Sequence, residues 1–537
     1  MKRKYLYILA ISFFTLTSSL FTASAQPNNV NVSQSAIFDC EPYLAVNPTN
    51  SNNIVVAWMG VTINPARISI KTKSSFDGGV TWGNYYVQPH FSPTYGSADV
   101  SMAFKNDGKV YLSYIDYRKS PDSGGIYVTH SADGGITWSG PVQAYDGLND
   151  DPGKLPIDRP WIAIDNSGTA NDGMLYLTSK PAYWIPPPNR PYLKTSSDSG
   201  QTWSTYRYID TINYLVGNTI IQPMPSPTVS ADGALCIAYP SYDPSQSVFG
   251  KFFFAKSYSR GATFTYHDLL VNPPTTTDTN LKLGYKLVAN PANANQLCLA
   301  GIGNYTTNDP DVLISTTNDG GTTWSNLIRV NDDALGNGKY QDMVWASYGN
   351  NGVLCLTWRD RRNGSGTDYM QPSDTYCAVS FDNGATFKPN FRLSNTTVPF
   401  DTVLYKKGND FMSCQLVNDS INACWGDVRT GKLNIFFAKT SDSTGMNAGI
   451  VQIASEDLPT LDVYPNPVSN SVILTNYLFN DAGTKLQITD AAGKIVYETN
   501  NIPETITINC SEFKPGVYLI KVSSEENKYF VRKVVKQ

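Results

Sequence analysis

The sequence predicts an all-β protein, in which repeated four-stranded sheets precede a second, smaller β domain. One observation is a motif that recurs about every 60 residues. The other is a composition rich in Tyr (33), Trp (10), Gly (40) and Pro (33), with only 16% charged residues. Aromatic residues favour strands, and Gly and Pro favour the turns between them. Helical periodicity is hard to find.

The recurring motif reads Ser/Thr-x-Asp-x-Gly-x-Thr-Trp/Phe. Its central positions, with a serine in the fourth copy and a shortened last copy, are Asp77, Asp133, Asp198, Ser259, Asp319, Asp382 and Asp442. In such a turn the Asp accepts backbone N–H groups and the Gly takes a positive φ. The Trp or Phe then packs between neighbouring sheets. We expect the motif to be structural and to join the third and fourth strands of each repeat.

Each repeat also carries an earlier pair of strands joined by a polar turn. In the first repeat these are Pro42 to Val46 and Ile54 to Trp58. Four antiparallel strands repeated around an axis form a β-propeller, because radial repetition protects the sheet edges. We place it at residues 36–450, and the repeat count favours seven blades, with six as the alternative.

The N-terminus is typical of an export signal. Basic residues are followed by an apolar run and the small-residue site Ala23-Ser24-Ala25, which predicts a signal peptide over residues 1–25. No later apolar run is long enough to cross a bilayer, so no transmembrane segment is expected. The net charge of −4 provides no basic surface for nucleic acid.

The eight cysteines fall into two groups of interest. Cys236, Cys298 and Cys355 occupy one register of three repeats, which predicts packed thiols. Cys40 and Cys414 lie near the starts of the first and last repeats. A closed ring would bring these repeats together, so this pair is the candidate disulfide.

The last part of the chain, residues 457–537, changes in character. Alternating strands separated by the Asp490-Ala-Ala-Gly493 turn predict a small β-sandwich. The strings Tyr464-Pro-Asn-Pro, Asp490-Ala-Ala-Gly493-Lys and Pro515-Gly-Val-Tyr-Leu closely resemble the C-terminal sorting domain of the type IX secretion system. This resemblance implies the secretion machinery as a partner, export across the outer membrane, removal of the tag, and a secreted or surface-attached product. A carbohydrate-binding sandwich is the alternative.

The repeats themselves resemble the BNR or Asp-box family, and the propeller region is similar to the sialidase superfamily. The resemblance implies glycan chemistry, but sialidases have six blades and a first-blade Phe/Tyr-Arg-Ile-Pro strand whose Arg grips the substrate carboxylate. Here Cys40-Glu41-Pro42-Tyr43 stands at that place. A carboxylate at this position would repel a substrate carboxylate. The sialidase catalytic set is therefore not carried over.

Candidate catalytic residues lie at the starts of the first strands, which open on the face opposite the motif turns. Glu41 and Asp99 share one register with Arg159, and Asp158 precedes the arginine. Ring closure directs this register towards the central channel. Carboxylates there could serve as acid and base, and Arg159 could bind the substrate. A solvated channel mouth is the alternative.

Other candidates for substrate binding lie at the ends of second strands and in nearby loops. Three arginines belong to a repeated Asp-x-Arg string, and one histidine and two aromatic residues lie in loops: Arg118, Arg362, Arg429, His90, Tyr183 and Trp184. Arginine forks bind acidic groups, and aromatic rings stack on sugars. The alternatives are local salt bridges for the arginines and packing on prolines for the aromatic rings.

The leading hypothesis is a secreted propeller that binds and hydrolyses a glycan. The rivals are a non-enzymatic adhesin that binds glycan or protein, and a polysaccharide lyase with His90 and Arg118 as its nearest base and arginine. Three scattered histidines predict no transition-metal site. No cofactor is expected, although the carboxylates are compatible with a structural calcium ion.

Overall fold

The computed structural model describes most of the chain and divides it into two compact units, within residues 1–449 and 450–537. The described residues are 27–119, 122–154, 157–182, 184–210, 224–241, 250–271, 273–274, 281–305, 309–402, 409–443, 461–476, 484–490, 493–500, 502–503, 505–523 and 529–537. Secondary structure in these ranges is β throughout, and no helix there could span a membrane. The expected signal peptide at 1–25 lies outside them.

The described residues of the first unit form seven four-stranded antiparallel sheets. Sheet 1 contains β2 (Asp39–Val46), β3 (Ile54–Ile63), β4 (Ala66–Ser75) and β5 (Tyr86–Val87). Sheet 2 contains β6 (Gly96–Phe104), β7 (Val110–Lys119), β8 (Asp122–Ser131) and β9 (Val142–Asp146). Sheet 3 contains β10 (Ile157–Ile164), β11 (Leu175–Pro181), β12 (Tyr192–Ser196) and β13 (Arg207–Tyr208).

Sheets 4 to 7 repeat this arrangement. Sheet 4 contains β14 (Ser226–Val229), β15 (Leu235–Ser241), β16 (Lys251–Ser257) and β17 (Thr265–Val271). Sheet 5 contains β18 (Tyr285–Ala289), β19 (Leu297–Asn304), β20 (Pro310–Thr317) and β21 (Ile328–Arg329). Sheet 6 contains β22 (Gln341–Tyr348), β23 (Leu354–Asp360), β24 (Asp374–Ser380) and β25 (Phe391–Arg392). Sheet 7 contains β26 (Ser413–Val417), β27 (Ser420–Asp427), β28 (Asn434–Ser441) and β1 (Asn29–Asn31).

The first strands of the seven sheets form a closed ring. Each contacts the first strand of the next sheet, and the last contacts the first: β2, β6, β10, β14, β18, β22 and β26. Apolar side chains of adjacent sheets pack together in the spaces between them. The first unit is therefore a β-propeller, and the ring brings distant parts of the chain to one central axis.

The ring is closed by the N-terminal strand. Asn29, Val30 and Asn31 pair antiparallel with Ala438, Phe437 and Phe436 of β28. The propeller therefore begins before residue 36, where the sequence analysis placed its start. A three-residue strand flanked by Asn has no alternation of polar and apolar residues long enough to recognise.

The motif turns have the predicted structural role. The backbone N–H of Thr81 donates to Asp77 Oδ1 at 2.9 Å, and its hydroxyl donates to Asp77 Oδ2 at 2.5 Å. These hydrogen bonds lower the pKa of Asp77 to about 2. The Trp82 ring packs edge-on against Phe437, with centroids 5.3 Å apart. Since Phe437 belongs to sheet 7, the indole of Trp82 packs between neighbouring sheets, as expected for the aromatic residue of the motif.

The cysteines are buried thiols. Cys236, Cys298 and Cys355 are unpaired and fully buried, which confirms the prediction of packed thiols. The candidate disulfide between Cys40 and Cys414 is absent, because both residues lie in the core as free thiols. Ring closure does bring their sheets together, but the two side chains fill apolar space.

The second unit has the predicted sandwich structure. One sheet contains β29 (Leu461–Tyr464), β30 (Ser471–Asn476) and β33 (Thr505–Asn509). The other contains β31 (Lys485–Asp490), β32 (Ile495–Asn500), β34 (Gly516–Ser523) and β35 (Tyr529–Lys536). Side chains of both sheets, including Leu474, Ile508, Leu486 and Ile520, share one apolar core.

Candidate functional site

Four first strands are interrupted by a bulge at the same register. The pairing shifts between Cys40 and Tyr43, Ala98 and Val100, Asp158 and Trp161, and Asp342 and Trp345. A non-glycine residue with positive φ lies in each bulge: Glu41 (52°), Asp99 (44°), Arg159 (57°) and Met343 (57°). A left-handed conformation costs such residues about 1–2 kcal/mol each. Strain of this kind is found where surroundings enforce it, often at functional sites.

The three charged bulge residues meet at the channel mouth around Arg159. Arg159 N–H donates to Asp99 Oδ2 at 3.2 Å and to Asp158 Oδ1 at 3.0 Å. Its guanidinium lies 3.6 Å from Asp99 Oδ1 through Nη1 and donates to Asp410 Oδ2 at 2.6 Å through Nη2. The backbone N–H of Asp410 donates to Glu41 Oε1 at 3.3 Å. We call these five residues the Arg159 cluster.

Two lysines extend the cluster on either side. Lys180 Nζ donates to Asp158 Oδ2 at 2.5 Å, and Lys282 Nζ donates to Asp410 Oδ1 at 2.7 Å. Asp410 and Lys282 were not among the sequence candidates, because they precede β26 and β18 in segments with no repeated motif. One signal for Asp410 was available: like Glu41, it is an acidic residue close to the start of the first strand of its repeat.

The environment divides the four carboxyl groups into two kinds. Burial, followed by the charge of Asp410, raises the pKa of Glu41 to about 7, although Arg159 opposes this. Burial and the neighbouring Asp158 raise the pKa of Asp99 well above its usual range, again against the charge of Arg159. The cluster thus contains two carboxyl groups that retain protons easily.

The other two carboxyl groups are held in the ionised form. Burial opposes ionisation of Asp158, but the charge and hydrogen bond of Lys180, together with Asp99 and the charge of Arg159, outweigh it and lower the pKa. Burial likewise opposes ionisation of Asp410, and the charges of Arg159 and Lys282 together lower its pKa. Carboxyl groups whose pKa values are pushed apart are the usual basis for a division into acid and base.

A cavity of about 480 Å³ opens beside Arg159. Its walls include Lys282, Lys286 and Asp410. Its floor is formed by three rings, Trp161, Trp345 and Phe411, whose centroids lie 5.2 to 6.1 Å from one another. This volume is within the range of small-molecule sites.

The predicted carboxylates Glu41, Asp99 and Asp158 do not line this cavity. Glu41 is 2% exposed, and the Asp158 side chain is 23% exposed. Asp410 lines the cavity, and its side chain is 33% exposed. Of the predicted site residues that the structure describes, only Arg159 lines the cavity.

Two of the Asp-x-Arg arginines form local ion pairs. Arg362 Nη2 lies 2.9 Å from Asp360 Oδ2, and Arg429 Nη2 lies 2.6 Å from Asp427 Oδ2. Both arginines lie outside the cavity lining. These contacts match the alternative interpretation of the Asp-x-Arg sequence, in which its arginines form local salt bridges within their own sheets.

The third Asp-x-Arg string differs. Asp116 receives the backbone N–H of Phe91 at 2.7 Å and lies 2.7 Å from His90 Nδ1. His90 Nε2 lies 2.8 Å from Ser69 Oγ, and the imidazole is buried. Arg118 is half-buried and forms no ion pair with Asp116 among the described residues. Neither His90 nor Arg118 lines the cavity.

The two loop aromatics give little further information. Tyr183 lies outside the described residues, and Trp184 is 43% exposed and does not line the cavity. Across the described ranges, no group of three or more His, Cys, Asp or Glu side chains has the arrangement needed to hold a metal ion.

Comparison with known proteins identifies the second unit. Residues 462–537 match the family model described as a secretion system C-terminal sorting domain. The C-terminal unit is a sorting domain of this family. The protein is accordingly exported through the type IX system and is secreted or attached to the cell surface. The sorting domain also makes the secretion machinery a partner.

One curated relative is the ulvan lyase NLR42 of Nonlabens ulvanivorans. It is 30% identical over 86 residues, which are 16% of this chain and 16% of that protein. The chain therefore matches only a small part of the length of this relative. The activity of the lyase is a property of that protein as a whole.

Several solved structures are similar to the propeller. A protein of unknown function from Dyadobacter fermentans has a TM-score of 0.41 and 14% identity, covering 77% of this chain and 98% of that one. The α-L-arabinofuranosidase Arb93A of Fusarium graminearum has a TM-score of 0.40 and 12% sequence identity, and the match covers 78% of this chain and 99% of that one. The intramolecular trans-sialidase of Ruminococcus gnavus has a TM-score of 0.39 and 13% sequence identity, and the match covers 75% of this chain and 94% of that one. These values support no inference about activity.

Proposed function

We propose that the protein binds a glycan in the Arg159 cavity and hydrolyses it. The single observation that carries this proposal is the placement of two unlike carboxyl groups on one guanidinium. Asp99 lies 3.6 Å from Nη1, and Asp410 lies 2.6 Å from Nη2 of Arg159. Glycoside hydrolysis requires a protonated carboxyl group and an ionised one flanking the scissile bond.

The roles follow from the opposite pKa shifts. Asp99, whose pKa is raised by burial, is the proposed proton donor; since it does not line the cavity, its proton would reach the leaving oxygen through one bridging water. Asp410, held ionised by Arg159 and Lys282, is the proposed nucleophile or base. Arg159 contacts both groups and keeps them in place.

The cavity favours an acidic sugar. Arg159, Lys282 and Lys286 line it together with one ionised carboxylate, Asp410. An excess of cations favours a ligand that bears a carboxylate or sulfate. The aromatic floor offers ring faces on which a sugar can stack. Because Glu41 is covered by Asp410 and retains its proton below a pH of about 7, it does not oppose such a ligand at acidic pH.

A specific observation favours a second candidate, a binder without catalysis. Glu41, Asp99 and Asp158 do not line the cavity, and all three are engaged by neighbouring groups. A glycan could then occupy the cavity without meeting a proton donor. The same cations and rings would supply its affinity.

The lyase hypothesis receives less support from the geometry. A lyase needs a base beside a charge-neutralising arginine. The suggested base, His90, lies in hydrogen-bond reach of Asp116 through one ring nitrogen and of Ser69 through the other. It does not line the cavity.

The test is a panel of polysaccharides incubated with the purified protein. Polygalacturonate, alginate and chondroitin sulfate represent acidic glycans, and arabinan and xylan represent neutral ones. New reducing ends without ultraviolet absorbance from an unsaturated uronate indicate hydrolysis, and added absorbance indicates a lyase. Binding without either product indicates the second candidate.

Matched variants connect the activity to the cavity. Asp410→Asn and Asp99→Asn are expected to abolish product formation. Asp268→Asn removes a carboxylate that pairs with Lys251 at 2.8 Å on the outer strand of sheet 4, and it should leave activity unchanged. Full activity in the Asp410 and Asp99 variants would refute the proposed hydrolysis.

A further inference from the structure

Beneath the Arg159 cluster, a fully buried lysine faces a carboxylate. The Lys180 side chain has no exposed surface, and it lies opposite Asp158 in the pairing of β10 with β11. Its Nζ donates to Asp158 Oδ2 at 2.5 Å and to the carbonyl oxygen of Pro181 at 3.3 Å. Burial of an ammonium group is costly unless it has a charged partner. The two residues therefore depend on each other.

The same device occurs in sheet 6. Asp342 lies opposite Arg359 in the pairing of β22 with β23, again just before the bulge. Arg359 donates to Asp342 at 2.7 Å through Nε and at 2.5 Å through Nη2. The bulge residue of this sheet is Met343, which has no ionisable side chain. An acid paired with a cation at this register thus occurs in sheets 3 and 6, two of the four sheets that carry a bulge, and in sheet 3 Asp99 lies next to the pair.

In sheet 3 the pair adjoins a chain of carboxyl groups. Asp158 Oδ1 and Asp99 Oδ2 accept the same backbone N–H, that of Arg159, at 3.0 and 3.2 Å, so the two carboxyl groups lie side by side, and the charge of Glu41 helps to raise the pKa of Asp99. Two carboxyl groups can form a hydrogen bond only if a proton lies between them. Lys180 contacts the far end of this chain and so favours negative charge on Asp158.

Other charged and titratable groups also face this chain. From the elements packed around it they are Glu41 on β2, Tyr117 on β7, Arg159 on β10, Lys180 on β11 and Asp410 ahead of β26. The Arg159 N–H donates to both Asp99 and Asp158, but the Arg159 guanidinium lies 3.6 Å from Asp99 Oδ1 and so favours ionisation of Asp99. Lys180 contacts Asp158 alone of the two, at the shorter distance of 2.5 Å, and so favours ionisation of Asp158.

We infer that Lys180 is a positioning residue that keeps Asp158 ionised and thereby places the proton of the Asp99–Asp158 pair on Asp99. The inference rests on the proposed function in that Asp99 is the proposed acid. Its physical content is separate, because it assigns a proton to one of two touching carboxyl groups whether or not a glycan is cleaved. Without the ammonium, the guanidinium beside Asp99 would favour ionisation of Asp99 and a proton on Asp158.

The proton can be located by carbon-13 NMR of protein labelled at its aspartate carboxyl carbons. The Asp99→Asn and Asp158→Asn variants serve only to assign the two resonances. In the wild-type protein at neutral pH, we expect the Asp99 carbon at the protonated position and the Asp158 carbon at the ionised one. The reverse arrangement, or two ionised carbons, would overturn the inference without any variant of Lys180.

Lys180→Met then tests the cause. We expect the Asp158 resonance to move towards the protonated position, and in an active enzyme we expect the pH profile of kcat to change while KM stays nearly constant. Arg359→Met is the control, because it removes the equivalent cation of sheet 6 while Arg361 still pairs with Asp342 at 3.2 Å. It should leave both resonances in place.

The outcomes separate the two proposals. An unshifted Asp158 carbon in folded Lys180→Met protein would overturn the positioning role. If the Asp99 carbon is at the protonated position and the Asp158 carbon at the ionised position in a protein that cleaves no polysaccharide, the hydrolase proposal is refuted. The assignment of the proton to Asp99 then still holds.

Discussion

Arg159 Nη2 and Asp410 Oδ2 lie 2.6 Å apart although 251 residues separate them in the chain. The contact joins sheet 3 to the segment that leads into sheet 7. It exists because the ring brings the first strands of distant repeats to one axis. The cluster is therefore a property of the closed ring, and variants that disturb it should affect stability as well as ligand binding.

Arg159→Met should destabilise the propeller. The substitution leaves Asp99 and Asp410 without the guanidinium that offsets their burial, and breaking a buried ion pair in this way costs about 3–5 kcal/mol. We expect the free energy of unfolding, measured by urea denaturation, to fall by that amount. Arg207→Met, at an exposed position of β13, is the control and should change it little. Equal stability of the two variants would contradict the central role of Arg159.

Glu41 should make stability depend on pH. Burial raises its folded pKa to about 7 from a usual value of 4.5, so the unfolded chain loses this proton first as the pH rises. The stabilisation is complete below the unfolded pKa and is lost as the pH passes through the folded pKa. This pKa shift corresponds to a loss of about 3 kcal/mol in the free energy of unfolding between low and high pH.

Glu41→Gln tests this dependence. The amide can still accept the Asp410 N–H, but it does not titrate. We expect the difference in unfolding free energy between wild type and variant to change in favour of the variant between about pH 4.5 and 7. Parallel pH curves for the two proteins would show that Glu41 ionises normally.

Gly79→Ala should weaken the contact between sheets 1 and 7. Gly79 has a φ of 93°, and a Cβ there would lie 2.2 Å from Phe437 Cε1. Left-handed strain and overpacking together predict a loss of about 2–4 kcal/mol. Gly83→Ala, where the nearest atom would be 3.6 Å away, is the matched control. Thermal unfolding of both proteins gives the comparison, and equal midpoints would contradict the prediction.

Ser259→Asp should stabilise the fourth motif turn. Ser259 Oγ already accepts the Thr263 N–H at 2.9 Å and lies 2.8 Å from its hydroxyl. A carboxylate would accept both groups with separate oxygens, as Asp77 does with Thr81. Charge-assisted hydrogen bonds predict a gain of about 0.5–1 kcal/mol in unfolding free energy. A loss would mean that this turn cannot take the usual geometry.

Lys282→Met should weaken binding of an acidic oligosaccharide by about tenfold or more, since a hydrogen bond to a charged group contributes about 1.5–3 kcal/mol. A neutral oligosaccharide should bind with little change. Calorimetric titration with digests of polygalacturonate and arabinan measures both effects. Lys251→Met, which removes a lysine paired with Asp268, is the control. Equal losses for both ligands would contradict an acidic substrate.

The sequence predicted most of the fold because its main determinants are local. The motif turn at Asp77 and the hairpin turn before Ile54 each depend on a few neighbouring residues. Strand β1 was missed because its pairing with β28 depends on residues about 400 positions away. The spacing of the repeats could predict that a ring forms, but not which short segment completes its last sheet.

The site was predictable in part for the same reason. Glu41, Asp99 and Arg159 were found together because they share a register that repeats. Asp410 and Lys282 lie in connecting segments, whose side chains reach the site only through the three-dimensional path of the chain. The pKa differences within the cluster were not predictable, since they depend on burial and on Lys180 behind Asp158.

The pairing of Asn29–Asn31 with β28 sets an order of events for a protein that must leave the cell. The pairing of β1 with β28 needs both ends of the propeller chain. The last sheet of the ring is therefore incomplete until residues near 440 are available to the N-terminal strand. The contact between Arg159 and Asp410 likewise joins an early and a late segment, so the cavity that both side chains line is incomplete until the chain up to β26 has joined the ring. A ligand that depends on both side chains therefore binds only after most of the propeller has formed.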